Sequence, residues 1–75
     1  MTKEKENSVA KVIELIGSSP KGWDDAAASA VKAAAKTVRN IRRLELKRCT
    51  AKVEDDRIVE YRVIVKIAFD VEREI

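Results

Sequence analysis

The stretch R-I-V-E-Y-R-V-I-V-K-I-A-F-D-V-E at residues 57–72 decides the fold of this chain. Apolar side chains occupy every second position, and this period of two predicts a β-strand with one continuous apolar face. A strand of about 14 residues, at about 3.3 Å each, spans roughly 46 Å. The apolar residues of this face are Val59, Tyr61, Val63, Val65, Ile67, Phe69 and Val71.

The helix available to cover this face is much shorter than the strand. Only residues 23–39 predict a helix, and about 17 residues at about 1.5 Å each extend roughly 26 Å. Because a large exposed apolar strip is unfavourable in water, the uncovered part requires another protein chain. The sequence therefore predicts an obligate oligomer.

The size of the chain leads to the same conclusion. Its 75 residues make one small domain, and chains this short bury little of their surface and are marginally stable alone. Cys49 is the only cysteine and histidine is absent, so we expect neither a disulfide nor a site for a soft metal ion. Oligomerisation is then the remaining source of stability.

The first seven residues, M-T-K-E-K-E-N, are mostly charged and polar. We expect a flexible tail at residues 1–7, followed by a single domain at residues 8–75. The sequence contains no recognisable signal-peptide core and no apolar run long enough for a membrane span. A cytoplasmic protein without a membrane partner is therefore expected.

The net charge of +3 results from 16 basic and 13 acidic side chains. Basic residues are in local excess only at residues 39–48. A nucleic-acid-binding surface usually interleaves aromatic residues with such a run, but Trp23, Tyr61 and Phe69 all lie outside it. We therefore expect no nucleic-acid partner.

The remaining elements follow from periodicity and turn residues. Residues 9–16 predict a first strand that ends in the glycine-, serine- and proline-containing turn at residues 17–20. The helix follows with Gly22 as its N-cap, and a second strand at residues 41–53 leads through a turn at residues 54–56 into the third strand. The most apolar strand should be central. The predicted fold class is α+β, with a β-α-β-β protomer and a three-stranded antiparallel sheet in the order 1-3-2.

Alanine dominates the helix face that is expected to contact the sheet. Small side chains let the helix backbone approach closely, which suits a sheet that curls around the helix. Asp24 and Asp25 in the first turn, and Lys36 and Arg39 in the last turn, suit the helix dipole. The predicted stripe consists of Trp23, Ala27, Ala30, Val31, Ala34 and Val38.

Four segments of the chain, taken in their order and spacing, resemble the dodecin family. They are V-A-K-V-I-E-L-I-G-S-S-P, W-D-D-A, K-T-V-R-N-I-R and V-E-D-D-R-I-V-E-Y-R-V-I-V-K-I-A-F. The resemblance covers residues 8–72. It implies a sheet wrapped partly around the helix and a hollow, roughly spherical homododecamer.

Dodecins are best known as flavin-storing proteins, and the resemblance implies where a flavin would bind. In flavin-binding members a tryptophan of the second strand stacks on the isoalloxazine ring, and a glutamine of the third strand hydrogen-bonds its polar edge. Here Arg43 stands at the tryptophan position and Arg62 at the glutamine position. An aromatic sandwich needs flat apolar faces, whereas arginine brings a fixed charge. A flavin (riboflavin or FMN) is therefore expected only in altered geometry, and an anionic substitute is the other expectation.

Strand alternation places both arginines on the sheet face opposite the apolar stripe. We expect Arg43 and Arg62 to decide which ligand is bound, with Glu45 orienting Arg43. Two interpretations stay open for this charged face: a ligand site, or a network of salt bridges between chains. The same alternation adds Glu45, Lys47, Cys49, Glu60 and Lys66 to this face.

Trp23 is distinct from the missing flavin tryptophan, because it lies at the helix start. Its S-S-P-x-x-W context resembles a second dodecin branch that lacks the stacking residue, and some members of that branch are associated with calcium. We expect Trp23 to cap the core where helix and sheet meet. The carboxylates of Asp24, Asp25 and the acidic turn at residues 54–56 could supply oxygen ligands for a hard cation. Neither group matches an EF-hand loop, so ordinary helix-start and turn roles are expected. A positive φ at Asp56, where many relatives carry glycine, would raise the cost of the turn.

Two functions are compatible with these residues. The first is a hollow oligomer that binds, stores or buffers a small ligand, a flavin or an anionic substitute, between its subunits. The alternative is a dodecin-fold structural or ion-binding assembly that has lost flavin binding. The sequence has no recognisable nucleophile–base pair, apolar carboxylate pair or phosphate loop, so we expect no enzyme.

Overall fold

A computed structural model describes residues 8–71, so the predicted tail at residues 1–7 lies outside the described residues. The elements are β1 (Ala10–Ser19), α1 (Trp23–Ala34), β2 (Ile41–Glu54) and β3 (Arg57–Asp70). The strands form one antiparallel sheet in the order β1-β3-β2. The predicted α+β class, β-α-β-β order and sheet order are confirmed.

The core lies between the middle of β3 and one face of α1. Val63, Val65 and Ile67 of β3 are fully buried, as the period of two predicts. On the helix, Ala26, Ala30 and Ala34 are buried, whereas Ala27 and Val31 are only partly buried. Ala30 and Ala34 were predicted to be buried, and Ala26 is buried in place of the predicted Ala27 and Val31. The buried helix face consists of small side chains, as expected.

Gly17 lets the helix lie directly on β1. A Cβ atom built at this position would overlap the Ala26 carbonyl oxygen and would lie 3.3 Å from the Ala30 Cβ. Because a backbone carbonyl cannot rotate away like a side chain, only glycine fits at this contact. The prediction of a close helix–sheet approach is confirmed.

β1 is longer than predicted, because it continues through Ser19 instead of ending at residue 16. Gly17 and Ser19, which the sequence placed in a turn, pair with Val63 and Tyr61 of β3. Pairing with the long central strand satisfies their backbone groups, and this tertiary contact outweighs the local turn preference.

The helix is shorter than predicted, because it ends at Ala34 and not at residue 39. Three backbone amides, those of Lys36, Thr37 and Val38, bond to the carbonyls of Ala33 and Ala34 in a tightened final turn. The Thr37 hydroxyl also donates to the Ala34 carbonyl, 3.3 Å away, and such bonding favours a helix end. No helix within residues 8–71 is long and apolar enough to cross a bilayer.

The sheet extends far beyond the helix that packs on it. The molecule measures 61 × 19 × 15 Å, and the 12 residues of α1 cover only about 18 Å of that length. All residues of β2 from 45 to 54 are exposed. The prediction that one helix cannot cover the sheet is therefore confirmed. Among residues 8–71, the exposed large apolar residues are Val9, Val12, Ile16, Trp23, Leu46, Val53, Ile58 and Val71.

Two aspartates form the turn between β2 and β3. Asp55 has φ 53° and Asp56 has φ 63°. Positive φ at both central residues identifies a type I′ turn, whose twist matches that of the flanking strands. The sequence-based concern about Asp56 is thus confirmed, since the second position of such a turn favours glycine.

We expect Asp56→Gly to stabilise the protein by about 0.5–1 kcal/mol, because relief of the left-handed strain outweighs the added freedom of the unfolded chain. Chemical denaturation at fixed protein concentration would measure the gain. Asp56→Asn is the matched control, since it removes the charge without supplying a glycine. A glycine variant no more stable than the asparagine variant would contradict this account of the turn.

Candidate functional site

The side of the sheet that faces away from α1 carries most of the charged strand residues. We call it the outer face. Because Val63, Val65 and Ile67 point toward the helix, the even-numbered residues of β3 between them point away, together with their partners on β1 and β2. The predicted face of Arg43, Glu45, Glu60, Arg62 and Lys66 is thereby confirmed. By this register the outer face is formed by Ala10, Val12, Glu14, Ile16, Ser18, Arg43, Glu45, Arg48, Thr50, Lys52, Glu60, Arg62, Ile64, Lys66, Ala68 and Asp70. The Lys47 ammonium also reaches this face, as predicted, since it lies 3.6 Å from a carboxylate oxygen of Glu14.

A β-bulge sets the direction of Arg43. Ile41 pairs with Phe69 and Arg43 with the next residue, Ala68, so Arg42 is an extra residue on β2. The Arg42 Nε donates to a carboxylate oxygen of Asp70, 2.8 Å away, which secures the start of β2 against the end of β3. The bulge thereby places Arg43 on the outer face.

Arg43 lines a cleft of the outer face with a volume of about 650 Å³. Its guanidinium is exposed, and it has no ion pair with any carboxylate of residues 8–71. An exposed cation beside apolar side chains can stack on a planar ring or bind an anion. The cleft is lined by Val12, Arg43, Leu44, Glu45, Lys66 and Ala68.

Glu45 lines the same cleft as Arg43 but makes no hydrogen bond or ion pair with it. Its partner on β3 is Lys66, which also has no ion pair within residues 8–71. The single protomer therefore brings Glu45 near Arg43 without fixing the guanidinium. The orienting role of Glu45 stays a prediction.

Arg62 occupies a second, smaller cleft of about 370 Å³, which it shares with Thr50, Lys52 and Glu60. Its Nη2 lies 3.5 Å from a carboxylate oxygen of Glu60. Since more than half of the Arg62 side chain is exposed, this pair contributes little stability. Arg62 is thus available to a further partner.

The protomer does not bring Arg43 and Arg62 together. Arg43 pairs with Ala68 and Arg62 pairs with Thr50, so six residues of β3, or about 20 Å, separate the two positions. One ligand can contact both positions only if two subunits contribute to its site, or if the ligand is long. Their role in ligand choice stays a prediction.

A second bulge changes which β2 residues reach the outer face. Leu46 pairs with Val65 and Arg48 with Ile64, so Lys47 is the extra residue. Beyond it the alternation is reversed. Arg48 therefore lies on the outer face, and Cys49, which pairs with Val63, lies on the helix side. The prediction for Cys49 was wrong, because simple alternation cannot anticipate a bulge.

Trp23 lies where the helix start meets the sheet, as predicted. Its Nε1 donates to the Thr50 carbonyl at 2.8 Å, and its ring packs edge-on against Tyr61 with centroids 4.9 Å apart. The side chain stays 37 % exposed. Trp23 thus anchors α1 to both β2 and β3.

The acidic residues at the helix start have local structural partners. An Asp25 carboxylate oxygen accepts a 2.6 Å hydrogen bond from the Ser19 hydroxyl, and Asp24 accepts one from the Asp25 amide. Ser19 is itself 5 % exposed and also accepts from the Lys21 amide. Within residues 8–71 of one protomer, no three histidine, cysteine, aspartate or glutamate side chains are close enough to hold a metal ion.

Comparison with known proteins identifies the family to which this arrangement belongs. The family model described as Dodecin matches residues 9–72. Among curated proteins, calcium dodecin of Mycobacterium tuberculosis is 37% identical over 62 residues, which are 83% of this chain and 87% of the relative.

Solved structures agree with this assignment. The dodecin of Streptomyces coelicolor has a TM-score of 0.85 at 30% identity, covering 93% of this chain and 100% of that one. A point mutant of Thermus thermophilus dodecin has a TM-score of 0.84 at 30% identity, with 89% and 100% covered. The M. tuberculosis calcium dodecin, described with a novel calcium-binding site, has a TM-score of 0.75 at 35% identity, with 87% and 93% covered. The chain belongs to the dodecin family.

Proposed function

We propose that this chain forms a hollow homododecamer that binds, stores or buffers a small ligand in clefts between its subunits. The proposed ligand is a flavin, riboflavin or FMN, or an anionic substitute. The Arg43 cleft carries the proposal, since its volume of about 650 Å³ lies within the range of about 300–1,000 Å³ typical of small-molecule sites.

The assembly is supported by the surface that one protomer leaves uncovered. Leu46 and Val53 are 48% and 62% exposed on β2, and Val12 and Ile16 are 55% and 65% exposed on β1. Both strands are sheet edges with unpaired backbone groups. Apolar side chains beside an open edge favour contact with another copy of the chain.

The chemistry of the cleft supports a ligand with an apolar or planar body and a negative charge. Val12 and Ala68 supply apolar surface, and the Arg43 guanidinium can stack on a ring. Lys66 and Arg43 outnumber the single carboxylate of Glu45 among the cleft residues. An anionic group on the ligand, such as the phosphate of FMN, would offset this excess positive charge, whereas riboflavin would leave it to the solvent.

Ion binding is the second candidate function, and it is favoured by the likeness to a relative named calcium dodecin. Within residues 8–71, a single protomer offers no group of three metal ligands. A calcium site built from residues 8–71 would therefore combine carboxylates from several subunits. Equilibrium dialysis of the assembled protein against calcium tests this candidate.

Binding rather than catalysis is the proposed role, and we propose neither a nucleic-acid nor a membrane partner. Cys49 is exposed and has no disulfide partner among the described residues. A reducing compartment suits such a thiol, so we propose a cytoplasmic location.

Two measurements test the proposed function together. Light scattering should give a particle of twelve times 8.4 kDa, or about 101 kDa. Titration of riboflavin and FMN into that particle should quench flavin fluorescence and reach saturation. Saturable quenching supports flavin storage at a site in which Arg43 and Arg62 stand in place of tryptophan and glutamine.

The other outcomes separate assembly from ligand binding. An intact particle that quenches neither flavin would remove flavins from the proposal and leave anions and metal ions. A monomer at micromolar concentration would contradict both the assembly and the inter-subunit clefts. A free monomer would also need another explanation for its exposed apolar side chains.

A further inference from the structure

Arg48 lies between the two clefts of the outer face, although it lines neither of them. The bulge at Lys47 brings it there, opposite Ile64. Its neighbours on β3, two residues to either side of Ile64, are Arg62 and Lys66. Diagonal neighbours in a sheet lie about 7–8 Å apart, within reach of long side chains. Arg48 thus connects the surroundings of Arg43 with those of Arg62.

The charges around Lys66 are unevenly balanced. Glu14 and Glu45 flank Lys66 on the neighbouring strands, and Arg43 and Arg48 are its diagonal neighbours. Lys47 adds a further cation, paired with Glu14 at 3.6 Å. Four cations therefore surround two carboxylates, and within residues 8–71 Arg43, Arg48 and Lys66 have no ion pair.

We propose that Arg48 is a specificity-determining residue of this site and selects ligands that carry a phosphate group over their unphosphorylated counterparts. This inference rests on the proposed ligand-binding function and deepens it. The positions opposite Arg43 and Arg48, Ala68 and Ile64, are four residues apart on β3, or about 13 Å. The long Arg48 side chain reduces the distance that a ligand in the Arg43 cleft must bridge. A mononucleotide whose ring fills the Arg43 cleft can therefore present its phosphate to Arg48.

The guanidinium suits this role because it forms two parallel hydrogen bonds with phosphate oxygens. A nucleic-acid backbone would offer the same phosphates, but two features favour a small ligand. Glu14 and Glu45 interrupt the positive charge along the face, and none of the aromatic residues Trp23, Tyr61 and Phe69 lies on the outer face to stack bases.

The test compares FMN with riboflavin, because the two differ by one phosphate. We expect wild-type protein to bind FMN at least roughly tenfold more tightly at low salt, as a charge-assisted contact permits. Arg48→Gln should remove most of this preference and leave riboflavin affinity unchanged. Arg57→Gln, at an exposed arginine beside the turn, is the matched control and should keep the preference. An unchanged preference in Arg48→Gln, or binding of both flavins by the wild type with equal affinity, overturns the inference.

Titration with inorganic pyrophosphate tests the role of Arg48 independently of the flavin proposal. If neither flavin binds but calorimetry detects pyrophosphate, and Arg48→Gln weakens it about tenfold, the inference stands and the flavin class is removed. If pyrophosphate and both flavins all fail to bind, the inference is overturned as well. Binding of a single-stranded oligonucleotide without binding of pyrophosphate or FMN also overturns it, in favour of a nucleic-acid surface.

Assembly of each variant is checked by light scattering before titration. If Arg48→Gln does not assemble, Arg48→Lys takes its place, because it keeps the charge but loses the paired hydrogen bonds. We expect it to reduce the FMN preference and leave riboflavin affinity unchanged. An Arg48→Lys variant with the full preference of wild type overturns the inference.

Discussion

Gly17→Ala is expected to destabilise the protein by about 1–3 kcal/mol, the usual cost of overpacking a tight contact. The added methyl group would overlap the Ala26 carbonyl oxygen and press on the Ala30 Cβ. Because Ala26 and Ala30 are 0% and 5% exposed, the helix can relieve the overlap only by moving off the sheet. That movement would also loosen its contact with Val63.

Thermal and chemical unfolding at fixed protein concentration would measure this loss, since oligomer stability depends on concentration. For a domain of this size, each kcal/mol shifts the melting temperature by roughly 4–8 °C. Gly22→Ala is the matched control, because the nearest atom to its Cβ is the Asp24 Oδ1 at 3.0 Å, which can rotate away. Equal stability of Gly17→Ala and wild type would mean that the helix can shift away from β1 at no cost. That result would contradict the tight contact at Gly17.

The double substitution Arg43→Trp with Arg62→Gln is expected to raise flavin affinity by at least roughly tenfold, or about 1.4 kcal/mol. Tryptophan would supply the flat apolar face that stacks on the isoalloxazine ring. Glutamine would supply a neutral donor and acceptor for the polar edge of the ring. Quenching of riboflavin fluorescence measures the change.

The control for this experiment is Arg43→Ala with Arg62→Ala, which removes the same two charges without adding a ring. A similar gain in both double mutants would attribute the effect to lost charge and not to stacking. A tryptophan–glutamine variant that assembles normally and still quenches no flavin would show that Arg43 and Arg62 do not mark the ligand site.

The long central strand was predictable from sequence because its pattern is strictly periodic. Val63, Val65 and Ile67 are fully buried at alternate positions, and the central place of β3 follows from its apolar content. The small helix face was also predictable, since alanine has a high helix propensity. These features depend on local pattern, which a single sequence contains.

The bulges of β2 were not predictable, and they determine the composition of the outer face. The bulge at Lys47 reverses the alternation that begins at Arg43, so Arg48 and Cys49 lie on the sides opposite to those that regular alternation from Arg43 predicts. Whether one extra residue fits depends on the partner strand and on the twist of the sheet. The consecutive arginines at residues 42–43, and the consecutive basic residues at residues 47–48, were the available signals, because two like residues in succession break a period of two.

The limits of β1 and α1 also depend on contacts between distant segments. The local preference of Gly17 for a turn is overcome by pairing with Val63. The helix stops at Ala34 although residues 35–39 continue its composition. At Asn40, with φ 62°, the chain turns toward β2, and its carbonyl accepts from the Asp70 amide at 3.1 Å. Pairing with β3 therefore decides where the helix ends.

Trp23 also provides an intrinsic fluorescence probe of the fold. It is the only tryptophan of the chain, so all tryptophan emission originates from the point where α1 meets the sheet. Its bond to the Thr50 carbonyl and its contact with Tyr61 hold the indole in one environment. A shift in emission wavelength would therefore report undocking of the helix in unlabelled protein. Combined with scattering, this signal would show whether subunits separate before or after they unfold.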